Sequence, residues 1–392
     1  MNGLPPLALY LHFPWCVRKC PYCDFNSHTL RGELPEAQYI EALLADVGGQ
    51  AERAAGREVQ SIFLGGGTPS LFTPDSLGRL FAGIRGLLAL TPDAEVTLEA
   101  NPATVERGRF AEYRDAGITR VSLGAQSFDA AALRALGRIH ETSDVLRAAA
   151  ELHAAGLANF NLDLMYGLPQ QGVAGALADL TTALSLQPAH VSHYQLTLEP
   201  GTLFAARPPP LPDEDVAWSM QLECQGLLTA HGLVQYEVSA YARAGRQCRH
   251  NLNYWQFGDY LGAGAGAHGK VTHEGQGTGL RVERSTQPRE PRRYLHAAPG
   301  GPPWSTVPGA DLPFEFMMNA LRLTEGFTEQ LFQQRTGLAV TAARAQLERL
   351  AIQGLLGKQS GVWRATATGF RYLNDVVAQF LPDPKSQSRA GI

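Results

Sequence analysis

The sequence predicts an α/β fold, with a parallel sheet covered by helices, followed by a smaller and mainly helical domain. Two observations predict it. Short apolar or β-branched runs, bounded by Gly, Pro or Asn, alternate with longer amphipathic stretches over the first half of the 392-residue chain. Such alternation is typical of β-α units in a parallel sheet. Beyond a stretch rich in Gly, Pro and Arg at 274–308, the pattern becomes mainly helical.

The predicted strands follow one another along the first half of the chain. They span 7–13, 59–64, 95–100, 120–124, 159–165 and 190–198. The predicted helices span 35–54, 74–89, 104–116, 129–155 and 173–186, and Pro35, Pro74 and Asp129 mark helix starts. Six such repeats predict parallel strands whose carboxyl ends share one edge, where open parallel barrels place their chemistry.

The rest of the chain divides at proline-rich and glycine-rich breaks, RPPPLP at 207–212 and PGGPP at 299–303. We expect a sheet domain over 1–206 and a covering extension over 207–308, with a strand near 234–241 and a Gly-rich stretch. We also expect a helical and winged-helix-like domain over 309–381, with a small hairpin near 354–366, and a disordered tail over 382–392. Winged helices often bind nucleic acid. No basic stripe is visible in this one, so a structural or docking role is favoured.

Composition and charge describe an ordinary soluble protein, with 44% hydrophobic residues, 18% charged residues and a net charge of −4. This balance gives no indication of a nucleic-acid partner. Three of the five cysteines lie in one short loop, which is not the spacing of a disulfide framework and indicates a reducing compartment. Neither a secretory signal nor an apolar run of about 18 residues is visible, so we expect a cytoplasmic protein. Attachment to a membrane surface is left open.

Cys16, Cys20 and Cys23 form the pattern C-x3-C-x2-C directly after the first predicted strand. A [4Fe-4S] cluster usually takes four cysteine ligands, so three would leave one iron open. An open metal position is where substrate chemistry takes place. A zinc site is the alternative, but zinc takes four ligands, and the chain offers no matching second pair of Cys or His.

This cysteine pattern resembles the signature of the radical S-adenosylmethionine (SAM) superfamily. The resemblance implies that the sheet is an open (β/α)6 partial TIM barrel. It also implies that the open iron of a [4Fe-4S] cluster binds SAM and that an electron from the cluster cleaves it. An electron donor is implied if SAM is cleaved.

Polar motifs follow four successive strands: GGGTP at 65–69, EANP at 99–102, GAQSF at 124–128 with LGRIH at 136–140, and DLMYGLP at 163–169. Their order resembles that of the oxygen-independent coproporphyrinogen III oxidase group within the radical SAM superfamily. The residues that this likeness places against the cluster or SAM are Tyr10, Tyr22, Gly66, Gly67, Thr68, Glu99, Gln126, Arg138 and Asp163.

A further motif, HNLNYW at 250–255, offers an imidazole and two large aromatic rings. Neutral imidazole is a common axial ligand of haem iron, and aromatic faces suit a flat porphyrin. The motif resembles the HNxxYW sequence of HemW-type haem chaperones, the non-oxidase branch of the same group. That likeness implies a haem site at His250, Asn251, Tyr254 and Trp255, and an acceptor protein that receives the haem.

Two departures separate this chain from the oxidases of the group, which carry a further cysteine at the position of Phe25 and an N-terminal extension. Only fifteen residues precede Cys16 here. We therefore expect haem transfer and assign no catalytic residue. The alternative is an enzyme, an oxygen-independent coproporphyrinogen III dehydrogenase.

Overall fold

The strands of the molecule form one large sheet and two small ones. The computed structural model describes residues 3–103, 109–275, 279–296 and 301–382. Within these ranges the strands are β1 Leu7–Phe13, β2 Trp15–Cys16, β3 His28–Thr29, β4 Val59–Gly66, β5 Leu90–Ala100, β6 Arg120–Gln126, β7 Phe160–Tyr166, β8 His190–Gln195, β9 Val234–Gln235, β10 Ala240–Ala242, β11 Asp259–Ala263, β12 His268–Glu274, β13 Leu280–Thr286, β14 Trp304–Thr306, β15 Phe327–Thr328, β16 Leu356–Gln359 and β17 Val362–Ala365.

The helices follow the predicted alternation with the strands. Within the same described ranges they are α1 Glu36–Gln50, α2 Pro74–Leu87, α3 Arg109–Ala116, α4 Ala130–Ala135, α5 Thr142–Ala154, α6 Val173–Ser185, α7 Leu203–Ala206, α8 Glu214–Ala230, α9 Arg249–Trp255, α10 Pro291–Leu295, α11 Leu312–Ala320, α12 Glu329–Thr336, α13 Arg344–Ile352, α14 Ala367–Arg371 and α15 Leu373–Ala378. None of these helices is both long and apolar enough to cross a bilayer.

The large sheet has the strand order β14-β13-β12-β11-β1-β4-β5-β6-β7-β8-β10-β9. The run from β1 through β4 to β8 is parallel and in chain order, as the six predicted repeats require. One face of these strands is apolar because it packs in the core beneath the outer helices, and the other face lines the barrel interior. Their carboxyl ends therefore meet at one edge.

Residues 207–308, expected to cover the barrel, supply strands to both edges of its sheet. β11 pairs parallel with β1, while β10 pairs antiparallel with β8. The strand predicted near 234–241 is instead a hairpin of β9 and β10, because the chain reverses between them. The strand predicted over 190–198 ends earlier, at Gln195, which pairs with Tyr166, the last residue of β7.

A second core lies in the C-terminal domain, where α11 and α12 pack on a three-stranded sheet ordered β15-β17-β16. Phe316 contacts Phe327 and Phe332 edge to face, at ring-centroid distances of 5.1 and 5.0 Å. The β16–β17 hairpin lies where one was predicted, near 354–366. Of the predicted tail, residues 383–392 lie outside the described ranges, as do 104–108 at the start of the predicted third helix.

Candidate functional site

Two adjoining cavities lie inside and above the parallel strands. The first, which we call the cluster cavity, has a volume of about 390 Å³ and is lined by the three cysteines of the loop after β1. The second, which we call the barrel cavity, has a volume of about 730 Å³ and is lined by His250 and the aromatic residues of α9. Glu99 and Asp163 line both cavities. The larger volume lies within the usual range for small-molecule sites.

The cysteine loop is fastened where β2 pairs with β3, Trp15 opposite His28. Each thiol has a polar neighbour. Thr68 Oγ1 donates to Cys16 Sγ at 3.4 Å, Arg138 Nη1 donates to Cys20 Sγ at 3.8 Å, and Cys23 Sγ lies 3.7 Å from a serine hydroxyl. Burial raises the pKa of both Cys16 and Cys23. A metal that binds these groups therefore displaces protons from thiols, as thiolate ligation requires.

The glycine run after β4 packs against the start of the cysteine loop. A Cβ at Gly67 would lie 2.6 Å from the Trp15 carbonyl oxygen, which excludes any side chain there. The backbone N–H groups of Gly66, Gly67 and Thr68 donate to Glu99, Phe13 and Trp15. All three residues line the cluster cavity as expected, but their N–H groups bond within the protein. Close backbone approach is therefore what they offer a ligand.

Two buried carboxyl groups stand where the cavities meet. Burial, followed by the charge of Asp163, raises the pKa of Glu99 to about 8, and Gly66 N–H donates to its Oε2 at 3.0 Å. Burial also raises the pKa of Asp163, although Ser122 Oγ and Asn161 Nδ2 donate to it at 2.9 and 2.7 Å. Carboxyl groups with raised pKa values in a cleft are candidates for a functional site.

Gln126, at the end of β6, and Arg138, in the turn after α4, face the same cavity. Arg138 Nη2 donates to Gly124 O at 2.7 Å, while its buried Nε has no partner among the described residues. Gln126 has a φ of +68°, unusual for a residue other than glycine, and its Oε1 accepts from the Tyr194 hydroxyl at 2.8 Å. The structure thus brings Glu99, Gln126, Arg138 and Asp163 to one mouth.

The two tyrosines predicted beside the cluster lie apart. Tyr22 lines the cluster cavity, and burial raises its pKa. Tyr10 lines the barrel cavity instead, where its hydroxyl bonds to His12 Nδ1 at 2.9 Å and its ring lies 6.2 Å from that of His250. Tyr10 is in the middle of β1 and faces the barrel cavity, which it lines together with Glu99.

α9 presents the HNxxYW motif to the barrel cavity, which His250, Asn251, Tyr254 and Trp255 all line. A hydrogen bond of 3.3 Å joins His250 Nδ1 to Ser61 Oγ, and Nε2 has no partner within the described part of the chain. Burial lowers the pKa of His250 to about 3, so its imidazole is neutral at pH 7. A neutral imidazole with one nitrogen held by a neighbour is the usual state of a metal-binding histidine.

Polar residues in the lower barrel were missed by sequence reasoning. Asn161 and His190 line the barrel cavity, and their side chains bond at 2.6 Å through His190 Nδ1. Arg120 and Thr97 lie beside them on β6 and β5. The signal that could have found them is the period of two, because Asn161 lies two residues before Asp163, and Thr97 two before Glu99.

The chain matches two family models, "Radical SAM superfamily" over residues 10–176 and "HemN C-terminal domain" over residues 307–372. Heme chaperone HemW of Escherichia coli (strain K12) is 49% identical over 388 residues, which cover 98% of this chain and 100% of that protein. The chain belongs to the HemW family of radical SAM proteins. Heme chaperone HemW of Haemophilus influenzae is 46% identical, again over 98% of this chain and 100% of the relative.

More distant relatives share the whole length. Radical S-adenosyl methionine domain-containing protein 1, mitochondrial, of Mus musculus is 37% identical over 96% of this chain and 87% of its own. Among solved structures, coproporphyrinogen III oxidase (HemN) from Escherichia coli, a radical SAM enzyme, superposes with a TM-score of 0.80 at 22% identity, covering 97% of this chain and 91% of that chain. The predicted fold class is confirmed.

Membership of the radical SAM superfamily brings a [4Fe-4S] cluster and SAM to this chain. The cluster cavity fits both groups, because three thiols with polar neighbours, an unpartnered buried Arg138 Nε and two carboxyl groups of raised pKa face it. Among the described residues, no three His, Cys, Asp or Glu side chains converge on a point where a single metal ion could sit. The zinc alternative therefore finds no support in the geometry.

Proposed function

We propose that this chain is a haem chaperone, which binds haem in the barrel cavity through His250 and passes it to an acceptor protein. The names of the relatives in Escherichia coli and Haemophilus influenzae support this proposal. One observation carries it. His250 is neutral and buried, is held at Nδ1 by Ser61, has no partner at Nε2 among the described residues, and lines a cavity of about 730 Å³. Of the other described histidines in that cavity, His12 and His190 use both ring nitrogens in hydrogen bonds, and His268, bonded at Nδ1 to Thr286, is exposed.

The aromatic side chains of α9 complete the proposed haem site. Tyr254 and Trp255 lie edge to face at 5.0 Å, and Tyr254 also contacts Tyr260 at 5.2 Å. Together with Phe63, whose ring lies 5.1 Å from that of His250, they give the cavity flat apolar walls. Such walls exclude water from a porphyrin face and add dispersion contacts over its whole area.

In the same proposal, the neighbouring cluster cavity holds the cofactors. Cys16, Cys20 and Cys23 bind the cluster, which, when bound, supplies an electron and one open iron position. Arg138 orients Cys20 through its donated hydrogen bond, and the carboxylates of Glu99 and Asp163 face the positive charge of SAM. Gln126, Tyr22 and the glycines after β4 line the part of the cluster cavity that would hold the rest of SAM. Cleavage of SAM would require an electron donor.

The location and partners of the chain belong to the same proposal. All five cysteines are free thiols, as the reducing cytoplasm maintains them, and we place the protein there. The acceptor is a protein that binds haem and competes for it against His250.

Haem titration of the anaerobic, cluster-loaded protein tests the proposal through the Soret band. We expect saturable binding of one haem per chain in the wild type, and loss or a strong spectral change in His250→Ala. His231→Ala is the matched control, because His231 bonds to a helix carbonyl at the end of α8, outside both cavities. Equal spectra for wild type and His250→Ala would contradict the site. Release of CO2 from coproporphyrinogen would instead establish the dehydrogenase.

A further inference from the structure

Three residues that line the barrel cavity each carry a buried polar atom with no hydrogen-bond partner within the described ranges. These atoms are Arg120 Nη2, Thr97 Oγ1 and Trp255 Nε1. Each carries a hydrogen that it can donate. A buried donor without a partner has lost its hydrogen bonds to water and gained none in return, so native structures rarely keep several in one place. Their convergence on one cavity indicates a ligand that offers acceptor atoms.

Arg120 is held so that one of its nitrogens remains available. Its side chain is only 1% exposed. Nη1 donates to Asn159 Oδ1 and to Arg246 O, both at 3.1 Å, and lies 3.9 Å from a carboxylate oxygen of Glu95. These contacts fix the guanidinium on one side. Nη2 is buried and has no partner within the described ranges, so it is a donor held in place by the contacts of Nη1.

Thr97 stands next to Arg120 in the sheet. The two residues are register partners on the neighbouring parallel strands β5 and β6, so their side chains leave the same face of the sheet. Glu99 and its partner Ser122 come two residues later on the same strands, about 6.6 Å nearer the cluster cavity at the usual strand rise. The guanidinium and the hydroxyl therefore form the floor of the barrel cavity, and the carboxyl groups lie at its upper end.

A carboxylate is the ligand group that matches this floor. An ionised carboxylate only accepts hydrogen bonds, and a guanidinium is its strongest partner among side chains. We propose that Arg120 and Thr97 bind a carboxylate of the ligand in the barrel cavity. On the proposed function, on which this inference rests, that group is one haem propionate, directed down into the barrel and away from the cluster.

The alternative is a haem whose propionates point outward, toward a second arginine of the barrel cavity. Arg289 also lines the barrel cavity, but it is exposed and lies at the rim. A haem whose propionates face outward would use Arg289, whereas the floor site requires Arg120. The two orientations differ by a half-turn of the porphyrin in its plane. They can be distinguished by which arginine, when replaced, reduces the preference for a ligand that carries carboxylates.

Haem and haem dimethyl ester, titrated into the same cluster-loaded protein, test the assignment. The ester keeps the ring, the iron and the vinyl groups but lacks both carboxylates. We expect the wild type to prefer haem by about tenfold to a hundredfold, the usual effect of a hydrogen bond to a charged group. Arg120→Gln should reduce this preference to about twofold or less, and Arg289→Gln should leave it intact.

Because Arg120 is buried, its replacement can also impair folding, and Thr97→Val provides a second variant. It removes the hydroxyl at nearly constant shape and should lower the preference about threefold. Equal affinity of the wild type for haem and ester, with His250→Ala abolishing both, would leave the haem proposal standing and overturn the carboxylate site. Loss of the preference in Arg289→Gln alone would also overturn it. No binding of either ligand would overturn the haem proposal and this inference together.

Discussion

His250 is neutral because of where it lies, since burial is the cause of its lowered pKa of about 3. An exposed histidine has a pKa near 6.5 and loses its lone pair to a proton in mildly acidic solution. A side chain in this environment keeps the lone pair on its unprotonated nitrogen throughout the physiological range. The barrel interior thereby provides a metal ligand that protons do not compete for.

Haem coordination should consequently be independent of pH between 5 and 8. The folded pKa of about 3 lies below this window, so the imidazole does not change its charge within it. Soret titrations at pH 5, 6, 7 and 8 measure this, with His231→Ala as a parallel sample. A tenfold weakening between pH 7 and pH 5 would mean that the ligand is a solvent-exposed histidine.

Glu99 predicts the opposite behaviour for SAM. Its pKa of about 8 means that only about a tenth of the molecules carry the carboxylate at pH 7. The sulfonium of SAM favours the ionised form, so binding at low pH must first remove a proton. We expect the SAM affinity to rise about tenfold from pH 7 to pH 9. Equilibrium dialysis measures it. Glu99→Gln should give a flat profile, and a steep profile in that variant would assign the proton to another group.

At the scale of elements, α9 is fixed at both ends. Arg249 N–H donates to Glu95 Oε1 at 2.8 Å where the helix begins, and Asn253 Nδ2 donates to Asp259 O at 2.9 Å near its end. Ser61 on β4 holds the His250 ring between these points. The helix is short, so its position depends on strands β4, β5 and β11 rather than on its own hydrogen bonds.

Ser61→Ala should weaken haem binding without changing the fold. The hydroxyl holds the histidine ring by a single hydrogen bond, and loss of such an outer partner typically costs about tenfold to a hundredfold in metal affinity. Soret titration measures the loss. Ser219→Ala is the matched control, because that hydroxyl bonds only to a carbonyl of its own helix α8. Unchanged affinity in Ser61→Ala would show that ring packing alone orients His250.

A buried ionic cluster joins β11 to β12 beneath this helix. Asp259 bonds to Lys270 Nζ at 2.8 Å and to Arg57 Nη1 at 2.6 Å, and it also accepts from Thr272. The side chains of Asp259 and Lys270 are 0% and 1% exposed. Burial alone would raise the pKa of Asp259, but the two cations outweigh burial and lower it.

Asp259→Ala should therefore destabilise the protein by about 3–5 kcal/mol, since it leaves two buried cations without a counter-charge. Urea unfolding followed by circular dichroism measures the loss. The control is Asp115→Ala, which removes an ion pair whose aspartate side chain is 68% exposed and should cost less than about 1 kcal/mol. Similar losses for the two variants would mean that water reaches Asp259.

At the scale of the whole molecule, the sequence predicted the features that depend on neighbouring residues alone, such as strand bounds and the polar motifs that follow strands. β1 has the predicted bounds, because its apolar run is followed by Pro14, which has no backbone N–H to continue the pairing of the strand. The placement of polar motifs after successive strands likewise brought Glu99, Gln126, Arg138 and Asp163 to one cavity. Residues 207–308 were harder, since strands at both edges of the sheet depend on pairing with distant segments, as where Asp259 of β11 pairs with Leu7 of β1.

The residues that face the barrel interior could not be predicted from the sequence, for a related reason. The period of two assigns Arg120 and Thr97 to one face of their strands, but it does not say whether that face meets helices or a cavity. Tyr10 illustrates the same difficulty, because the sequence alone does not show that its ring lies 6.2 Å from that of His250. Only the curvature of the sheet distinguishes the two sides, and curvature is a property of all the strands together.

The cysteine loop has three thiols, an odd number, because Phe25 stands at the place where the likeness implies a fourth cysteine in the oxidases. Cys224 and Cys248 are buried elsewhere in the chain. Without iron, oxidation can close at most one disulfide among the three thiols in a single chain, and the third must find a partner outside it. Metal-free protein exposed to air should therefore form covalent dimers, seen on non-reducing electrophoresis and abolished by a reductant. Cys23→Ser, with an even pair, should suppress them, and their persistence would contradict this account. Anaerobic handling thus preserves the association state of the chain as well as its cofactor.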